Sequence, residues 1–187
     1  INKKIIIVQA STNYEIQNHG FISQKLFKDF SFDDIFLRKT LKINKAETLK
    51  SIKGKKIVIT GGAGSIGGYL AKNLINYKPK KIYIIDISEY NIFKLKNLLN
   101  YDEKKIIEFK IINIENYPQV NNYFKFIKPD IIFNTAALKH VNFLEENFNQ
   151  GLKTNYVGTK NLLKSANKNN VNFFVHVSTD KAANPIN

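Results

Sequence analysis

From Lys55 onward, short apolar runs alternate along the chain with stretches of helical pattern. Five runs rich in β-branched residues predict strands, namely Lys56–Thr60, Lys81–Ile85, Ile106–Ile111, Ile131–Asn134 and Asn172–Val177. Runs that are apolar throughout rather than alternating indicate strands covered on both faces. The pattern therefore predicts an α/β fold with a doubly wound parallel sheet.

Helical patterns separate the predicted strands, at Ser65–Tyr77, Glu89–Asn100, Pro118–Ile127 and Phe148–Asn169. Residues 1–50 read differently, because a single short apolar run is followed by polar sequence without a sustained period. This pattern predicts a remnant of a preceding domain plus a linker, and residues 51–187 then form the α/β domain. Ligands of such domains bind at the carboxyl ends of the strands, so candidate site residues are sought there.

Composition excludes several kinds of site. The chain has 187 residues, no cysteine and three scattered histidines, so we expect neither a disulfide nor a metal centre. The formal net charge is +14, but the cations are nearly all lysine and are spread along the chain. That distribution is typical of AT-rich codon usage, and we expect no nucleic-acid partner. No apolar run in the sequence is long enough for a membrane-spanning helix.

A glycine-rich turn follows the first predicted strand. Gly61, Gly64 and Gly67 have G-x-x-G-x-x-G spacing and are followed by a helical pattern. Glycine permits a tight turn and lets backbone N–H groups approach a pyrophosphate at the helix N-terminus. We expect a dinucleotide phosphate beside Ala63, Gly64, Ser65 and Ile66. The alternative interpretation is a glycine turn that only packs the helix on the sheet.

Asp86 ends the second predicted strand, nineteen residues beyond Gly67. A carboxylate at this place accepts hydrogen bonds from both hydroxyls of the adenosine ribose and repels a 2′-phosphate. The sequence therefore favours NAD over NADP as the cofactor. The alternative for Asp86 is a solvated strand end.

Further candidates follow the third and fourth strands and lie within the last helix. Asn113 and Ile114 would border the adenine, although a solvated strand end fits them equally. The small residues after the fourth strand would let a flat ring lie close, and a lysine would supply a cation near phosphate or sugar; these are Thr135, Ala136, Ala137 and Lys139. Packing is the alternative for the small residues. Thr154 belongs to a polar pair, Thr154-Asn155, in which a buried asparagine can fix a water or a backbone group; a solvated helix face is the alternative.

The last predicted strand ends in Val177-Ser178-Thr179-Asp180-Lys181, followed by Ala-Ala-Asn-Pro. Together with TGGAGSIG, Asp86, AALKHV and KTNYVGT, this motif resembles the extended short-chain dehydrogenase/reductases. More closely, the chain from about Phe30 to Asn187 resembles the CapD-type polysaccharide biosynthesis family, nucleotide-sugar 4,6-dehydratases that act on UDP-N-acetylglucosamine. The resemblance implies an NAD-binding Rossmann domain over residues 51–187, incomplete at its C-terminal side, without the substrate-binding region.

The resemblance also implies a reaction and its residues. Hydride leaves C4 of the hexose for NAD, the C5 proton is lost, water leaves across C5–C6, and hydride returns to C6. By analogy Lys181 is the base, Asp180 is the acid, and Thr179 hydrogen-bonds the C4 oxygen. We expect this chain to turn over little or no substrate alone.

Other functions remain open at the level of sequence. A UDP-sugar epimerase on the same scaffold would form the ketone without losing water, and a non-catalytic NAD-binding module would bind cofactor alone. The resemblance implies a UDP-sugar substrate and a homo-oligomeric full-length form. It places the domain in the cytoplasm and allows anchoring of the parent protein in the inner membrane through segments absent here.

Overall fold

The computed structural model describes residues 44–178, which belong to one compact unit that begins at Asn44. The strands are β1 Lys56–Thr60, β2 Lys81–Asp86, β3 Ile107–Ile111, β4 Ile131–Asn134 and β5 Phe173–His176. The helices are α1 Lys45–Ile52, α2 Ser65–Ile75, α3 Glu89–Asn97, α4 Tyr101–Ile106, α5 Tyr117–Ile127, α6 Val141–Glu146, α7 Phe148–Gly151, a π-helical segment Leu152–Gly158, and α8 Thr159–Lys168. Within residues 44–178, no helix has the length and apolarity needed to cross a membrane.

The five strands form one sheet in the order β3-β2-β1-β4-β5, and every pair is parallel. The chain first adds strands on one side of β1 and then, beginning with β4, on the other side. This order confirms the predicted doubly wound α/β fold. The reversal lies between β1 and β4, where Thr60 pairs with Asn134, and such a reversal opens a crevice at the carboxyl ends of the strands.

Both faces of the central strands are buried, as the uniformly apolar runs predict. Ile57 and Ile59 of β1 pack in one core with side chains of α2 and α3, while Val58 packs in a second core with side chains of α5 and α8. Neighbouring residues of a strand point to opposite faces, so one short apolar run supplies both cores. The central sheet is thereby fixed as a rigid base for the turns at its carboxyl edge.

Three short helices were not predicted from the sequence: α1, α4 and α6. Two of them begin at an asparagine placed three residues before a glutamate. Asn44 accepts the Glu47 N–H, and Asn100 forms a reciprocal capping box with Glu103. Because Asn100 caps α4, the predicted helix Glu89–Asn100 ends early, at Asn97. The predicted helix Phe148–Asn169 is instead α7, the π-helical segment and α8.

The last predicted strand differs from its expected surroundings. The apolar run at Asn172–Val177 predicts a buried central strand, and this is wrong for the part of the chain that the structure describes, where β5 is an edge strand. Phe173 is 63% exposed and Val175 is 43% exposed. His176 is exposed as well. The reason is geometric, since β5 pairs with β4 alone among the described strands.

Candidate cofactor site at the carboxyl edge of the sheet

The turn between β1 and α2 depends on backbone contacts that only glycine permits. Gly61 has φ +63, and a Cβ there would lie 2.6 Å from Cα of Ala136 in the turn after β4. A Cβ on Gly67 would lie 2.6 Å from both the Gly61 oxygen and the Gly62 Cα. The Gly64 N–H closes the turn by donating to the Gly61 carbonyl at 3.0 Å. The predicted glycine spacing is thus accounted for by close backbone approach.

Helix α2 begins without a side-chain cap, at Gly64. The helices α1, α3, α4 and α5 each have an N-cap side chain that accepts a backbone N–H, whereas α6 and α7, like α2, lack one. In α2 the first turn holds Ser65 and Ile66, both exposed. The first N–H groups of a helix lack intrahelical partners and lie at the positive end of its dipole. This turn therefore fits the pyrophosphate of a dinucleotide, because no side chain competes for its donors.

Asp86 lies beside the same turn. Its Oδ2 accepts the Ala63 N–H at 3.1 Å, and its Oδ1 accepts the Ser88 N–H at 2.9 Å. The Gly62 N–H donates to the carbonyl of Ile85, one residue earlier in β2, at 3.2 Å. A carboxylate has about four acceptor positions, so two bonds leave acceptors for a ribose. The structure thus brings Asp86 and the glycine turn together, as the sequence predicts.

The residues predicted to border adenine lie around Glu115. Asn113 Oδ1 accepts the Glu115 N–H at 2.9 Å, and Thr154 Oγ1 donates to Glu115 Oε1 at 2.7 Å. Ile114 is buried, and its carbonyl accepts a bond from Asn161 Nδ2 at 3.1 Å. Asn113, Ile114 and Thr154 are thus brought together, and contact between them and a cofactor stays a prediction.

Thr135 connects the carboxyl ends of β1 and β4. Its hydroxyl donates to the Thr60 carbonyl at 2.7 Å and lies 3.2 Å from the Gly61 oxygen, and its N–H donates to the same Thr60 carbonyl at 3.0 Å. The hydroxyl is therefore used within the protein. Through these bonds Thr135 holds the turn after β4 against the glycine turn.

Asn134 is a buried polar residue that sequence reasoning left out of the site. Its Oδ1 accepts from Thr60 Oγ1 at 2.6 Å and from the Ala136 N–H at 3.2 Å. Its Nδ2 donates to Thr159 Oγ1 at 3.1 Å and lies 3.1 Å from His176 Nδ1. The signal was an asparagine ending an apolar strand, since a buried amide needs partners on each side. Asn134 thus ties β1, β4, β5 and the start of α8 together.

The loop beyond β4 is more open than the glycine turn. Ala136 is half-buried, whereas Ala137 and Lys139 are exposed. Lys139 lines a shallow cavity of about 300 Å³ together with residues 140–143. The open space and the exposed ammonium are compatible with the predicted contacts to sugar or phosphate, which stay predictions.

The predicted catalytic residues Thr179, Asp180 and Lys181 lie outside the described residues. The described chain ends just before them, where the Val177 N–H donates to the Asn134 carbonyl at 3.0 Å. Because β1, β4 and β5 are parallel, the chain leaves β5 at the same edge of the sheet as the glycine turn. Strand β4 lies between β5 and β1, so one strand separates this end of β5 from the glycine turn.

The family profile described as "Polysaccharide biosynthesis protein" matches residues 57–187, most of the chain. The chain belongs to the polysaccharide biosynthesis protein family. This membership confirms the resemblance drawn from the motifs. The matched range includes all the predicted site residues of this family member.

Curated relatives of this family member include two kinds of nucleotide-sugar enzyme. The probable polysaccharide biosynthesis protein EpsC of Bacillus subtilis is 32% identical over 86% of this chain and 27% of its own length. A UDP-N-acetylglucosamine 4,6-dehydratase (inverting) of Campylobacter jejuni is 34% identical over 72% of this chain and 39% of its own. A UDP-glucose 4-epimerase of Rickettsia bellii is 34% identical over 71% of this chain and 39% of its own length. The chain spans between 27% and 39% of the length of these relatives.

Solved structures share the fold of this family member. The X-ray structure of Pen from Bacillus thuringiensis superimposes with a TM-score of 0.66 at 36% identity, over 73% of this chain and 40% of that one. The Bordetella bronchiseptica enzyme WbmH, solved in complex with NAD+, superimposes with a TM-score of 0.60 at 28% identity, over 71% of this chain and 42% of that one. Both alignments agree with the parallel sheet described above.

Proposed function

We propose that the described domain binds a nicotinamide dinucleotide across the crevice between β1 and β4. The carrying observation is the uncapped N-terminus of α2 together with the close approach of Gly61, in the turn that precedes this helix, to the Thr135–Ala136 backbone. In this proposal the first-turn N–H groups hold the pyrophosphate, and the small residues of the turn after β4 leave room for a flat ring. The NAD complex of WbmH, on the same fold, supports this reading.

The cofactor proposed is NAD rather than NADP. Asp86 keeps acceptors free beside the glycine turn, and a carboxylate there favours ribose hydroxyls over a 2′-phosphate. Titrating the protein with NAD and with NADP tests the choice. We expect NAD to bind at least about tenfold tighter, and Asp86→Asn to reduce that ratio because the repelling charge is gone. Equal affinity of the unaltered protein for both would contradict the proposal.

The reaction proposed is the 4,6-dehydration of a UDP-linked N-acetylhexosamine, supported by the dehydratase relative. When bound, the dinucleotide supplies reversible hydride acceptance at a sugar carbon. Lys181 would take the C5 proton, Asp180 would protonate the departing C6 hydroxyl, and Thr179 would hold the C4 oxygen. Lys181 must be neutral to act as a base and Asp180 protonated to act as an acid.

Activity is tested on the full-length protein with UDP-N-acetylglucosamine. Dehydration predicts loss of one water from the product mass and a C6 methyl signal in the NMR spectrum, both abolished by Lys181→Met. Lys168→Met is the matched control, since it removes an exposed ammonium at the end of α8, outside the proposed site. A full-length protein that binds NAD but leaves every UDP-sugar unchanged would instead support a non-catalytic module.

A UDP-sugar 4-epimerase is the second candidate, because an epimerase relative is as similar to the chain as the dehydratase relative is. The Asp-Lys pair argues for dehydration, since epimerisation needs no acid at the C6 oxygen. An epimerised product of unchanged mass, with no hydrogen delivered to C6, would favour this candidate. We further propose a homo-oligomeric full-length protein whose domain lies in the cytoplasm, with any membrane anchor in segments outside this chain.

A further inference from the structure

The edge of the sheet opposite the proposed cofactor site is rich in lysine. We call it the amino edge and define it as the five residues up to and including the first residue of each of β1–β4, which are residues 52–56, 77–81, 103–107 and 127–131. These segments contain nine lysines and two acidic residues, whereas the five residues counted from the last residue of each of the same strands contain no lysine and three acidic residues. The lysines are spread along the sequence, but the parallel topology collects them on one edge.

The amino edge is nearly level and is internally bonded. In the strand register, the first residues of the four strands lie within one residue of a common level, since the pairs are Lys56–Lys81, Ile57–Ile131 and Ile82–Ile107. Its loops are joined by backbone hydrogen bonds, in which the Gly54 N–H donates to the Lys78 carbonyl at 2.9 Å and the Lys80 N–H donates to the Lys55 carbonyl at 2.9 Å. The lysines therefore extend from a fixed base.

Some lysines of the amino edge stabilise the fold, because a cation is favourable near the C-terminus of a helix. Lys56 Nζ donates to the carbonyl of Ile127, the last residue of α5, at 2.8 Å, and Lys81 Nζ donates to the Lys105 carbonyl in α4 at 3.0 Å. Five others are exposed, and in the part of the chain that the structure describes their ammonium groups have no hydrogen bond or ion pair; they are Lys53, Lys78, Lys80, Lys104 and Lys128. These five charges are available to a partner.

Large apolar side chains lie next to these charges. Phe126 is 81% exposed and Tyr101 is 76% exposed, the two highest values for large apolar side chains in residues 44–178. Phe126 immediately precedes Ile127, and the Lys105 ammonium lies 4.1 Å from the centroid of the Tyr101 ring. Aromatic rings beside lysines are typical of the boundary between lipid headgroups and acyl chains, where the ring is partly buried and the ammonium stays in water.

We propose that the amino edge binds the surface of an anionic lipid bilayer. In this proposal the exposed lysines lie against headgroup phosphates, and Phe126 and Tyr101 enter the boundary with the acyl chains. Lysine suits this role as a point charge, whereas nucleic-acid sites favour the bidentate arginine, and the one arginine of the chain, Arg38, lies outside residues 44–178. A domain bound in this way would keep its carboxyl edge, with the proposed cofactor site, facing away from the bilayer. The inference does not depend on cofactor binding.

Cosedimentation with vesicles tests the proposal on the 187-residue chain. We expect binding to phosphatidylcholine vesicles that contain about 30% phosphatidylglycerol, no binding to phosphatidylcholine alone, and loss of binding when salt is raised from about 0.1 M to about 0.5 M. The triple variant Lys53→Gln, Lys80→Gln and Lys104→Gln is expected to bind the anionic vesicles at least about tenfold more weakly. Failure of the unaltered chain to bind them would overturn the proposal.

The matched control replaces three exposed lysines outside the amino edge, as Lys110→Gln, Lys153→Gln and Lys160→Gln. It removes the same net charge, and we expect its affinity to stay within about threefold of that of the unaltered chain. Equal losses in the two triple variants would show that overall charge drives binding, contrary to the proposal. Tighter binding to a single-stranded RNA oligonucleotide than to the vesicles, lost in the amino-edge variant, would identify a nucleic-acid site instead.

A fluorescent probe tests the orientation, since the chain has no tryptophan. In Phe126→Trp we expect the emission to shift to shorter wavelength on anionic vesicles, because the indole leaves water. Phe148→Trp is the control, since Phe148 is 69% exposed in α7, which follows the turn after β4, and should show no shift. This comparison also serves if the triple variant does not fold. A shift at position 148, or none at position 126, would contradict the proposed orientation.

Discussion

The turns after β1 and β4 meet at the switch point of the sheet, but their shapes are held in different ways. The turn after β1 is held by close backbone approach, since a Cβ on Gly67 would lie 2.6 Å from atoms of its own turn, and a Cβ on Gly61 would lie 2.6 Å from Cα of Ala136 in the turn after β4. The turn after β4 is held by side chains, including Asn134 beneath it and Asn155 from a later helix. Close backbone contacts therefore restrict the conformation of the turn after β1, whereas side chains from other elements position the turn after β4.

Gly67→Ala is expected to have the largest effect. The new methyl would meet the Gly61 oxygen, the Gly62 Cα and Thr135 Oγ1 within 2.8 Å, and neither backbone atom can move alone. We expect a loss of about 3 kcal/mol or more in the free energy of unfolding, together with loss of dinucleotide binding. Urea denaturation and NAD titration measure the two.

The neighbouring residue provides the control for this prediction. A Cβ on Gly68 would lie 3.5 Å from the Leu95 side chain and 3.7 Å from the Gly62 oxygen, and both distances are ordinary contacts. Gly68→Ala is expected to stabilise the protein by up to about 1 kcal/mol through helix propensity. Equal effects at positions 67 and 68 would show that the close backbone approach does not matter.

Asn134→Ala is expected to rank second. It leaves the buried Thr60 hydroxyl and the Ala136 N–H without their acceptor and opens a small cavity beside them. Unpaired buried groups cost roughly 1–3 kcal/mol each, so we expect a loss of about 2–3 kcal/mol in the free energy of unfolding. Asn167→Ala, at an exposed position, should change it by no more than about 0.5 kcal/mol. A similar small change at Asn134 would mean that the turn after β4 is held by other contacts.

Gly158→Ala is expected to have a smaller effect than Gly67→Ala, although both would bring a Cβ to 2.6 Å of another atom. At Gly158 the nearest atoms are Cδ1 and Cγ1 of the buried Ile114 side chain, at 2.6 and 2.7 Å, and a side chain can shift more readily than backbone. We expect a net loss of no more than about 1 kcal/mol, because helix propensity offsets part of the crowding. A loss as large as that of Gly67→Ala would show that Ile114 is as immobile as backbone.

The smallest effect concerns pH, on the β2–β3 side away from both turns. Burial first, and the nearby Glu108 carboxylate second, raise the pKa of Tyr83 and of Tyr123 above the ordinary value of 10.0. The unfolded chain therefore ionises first, so stability is unchanged below pH 10 and falls as pH rises beyond it. The free energy of unfolding, measured by denaturation between pH 8 and 11, should show this fall. Its slope with pH should be about that of one titrating group for each tyrosine whose pKa is raised. Tyr123→Phe should reduce it, and an unchanged fall would point to lysine deprotonation instead.

The strands were predictable because their cause is local. Uninterrupted β-branched runs such as Ile57-Val58-Ile59 can only be buried on both faces, and each strand begins and ends within one residue of its predicted bounds. The exposure of β5 was not predictable, because an apolar run does not reveal how many neighbours pair with it. Helices α1 and α4 were predictable in principle from the Asn-x-x-Glu spacing of their caps.

For the site, the sequence predicted the parts that follow from residue type. Glycine spacing and Asp86 indicated the turn after β1, and the structure brings them within hydrogen-bond distance. The sequence left two interpretations of the polar pair Thr154-Asn155, a buried asparagine that fixes a water or a backbone group and a solvated helix face. Asn155 is exposed, and its amide binds the backbone of Leu138. That Leu138 would be its partner depends on the π-helical turn, for which no sequence pattern was evident.

The Thr135 hydroxyl, which bonds the carbonyl at the end of β1, has one further consequence. It joins Thr60, the last residue of β1, to the first residue after β4. This bond fixes the distance between the turn after β1 and the turn after β4. Changes in the surrounding side chains can then alter the affinity for a bound ligand. They cannot readily change the length of molecule that bridges the gap.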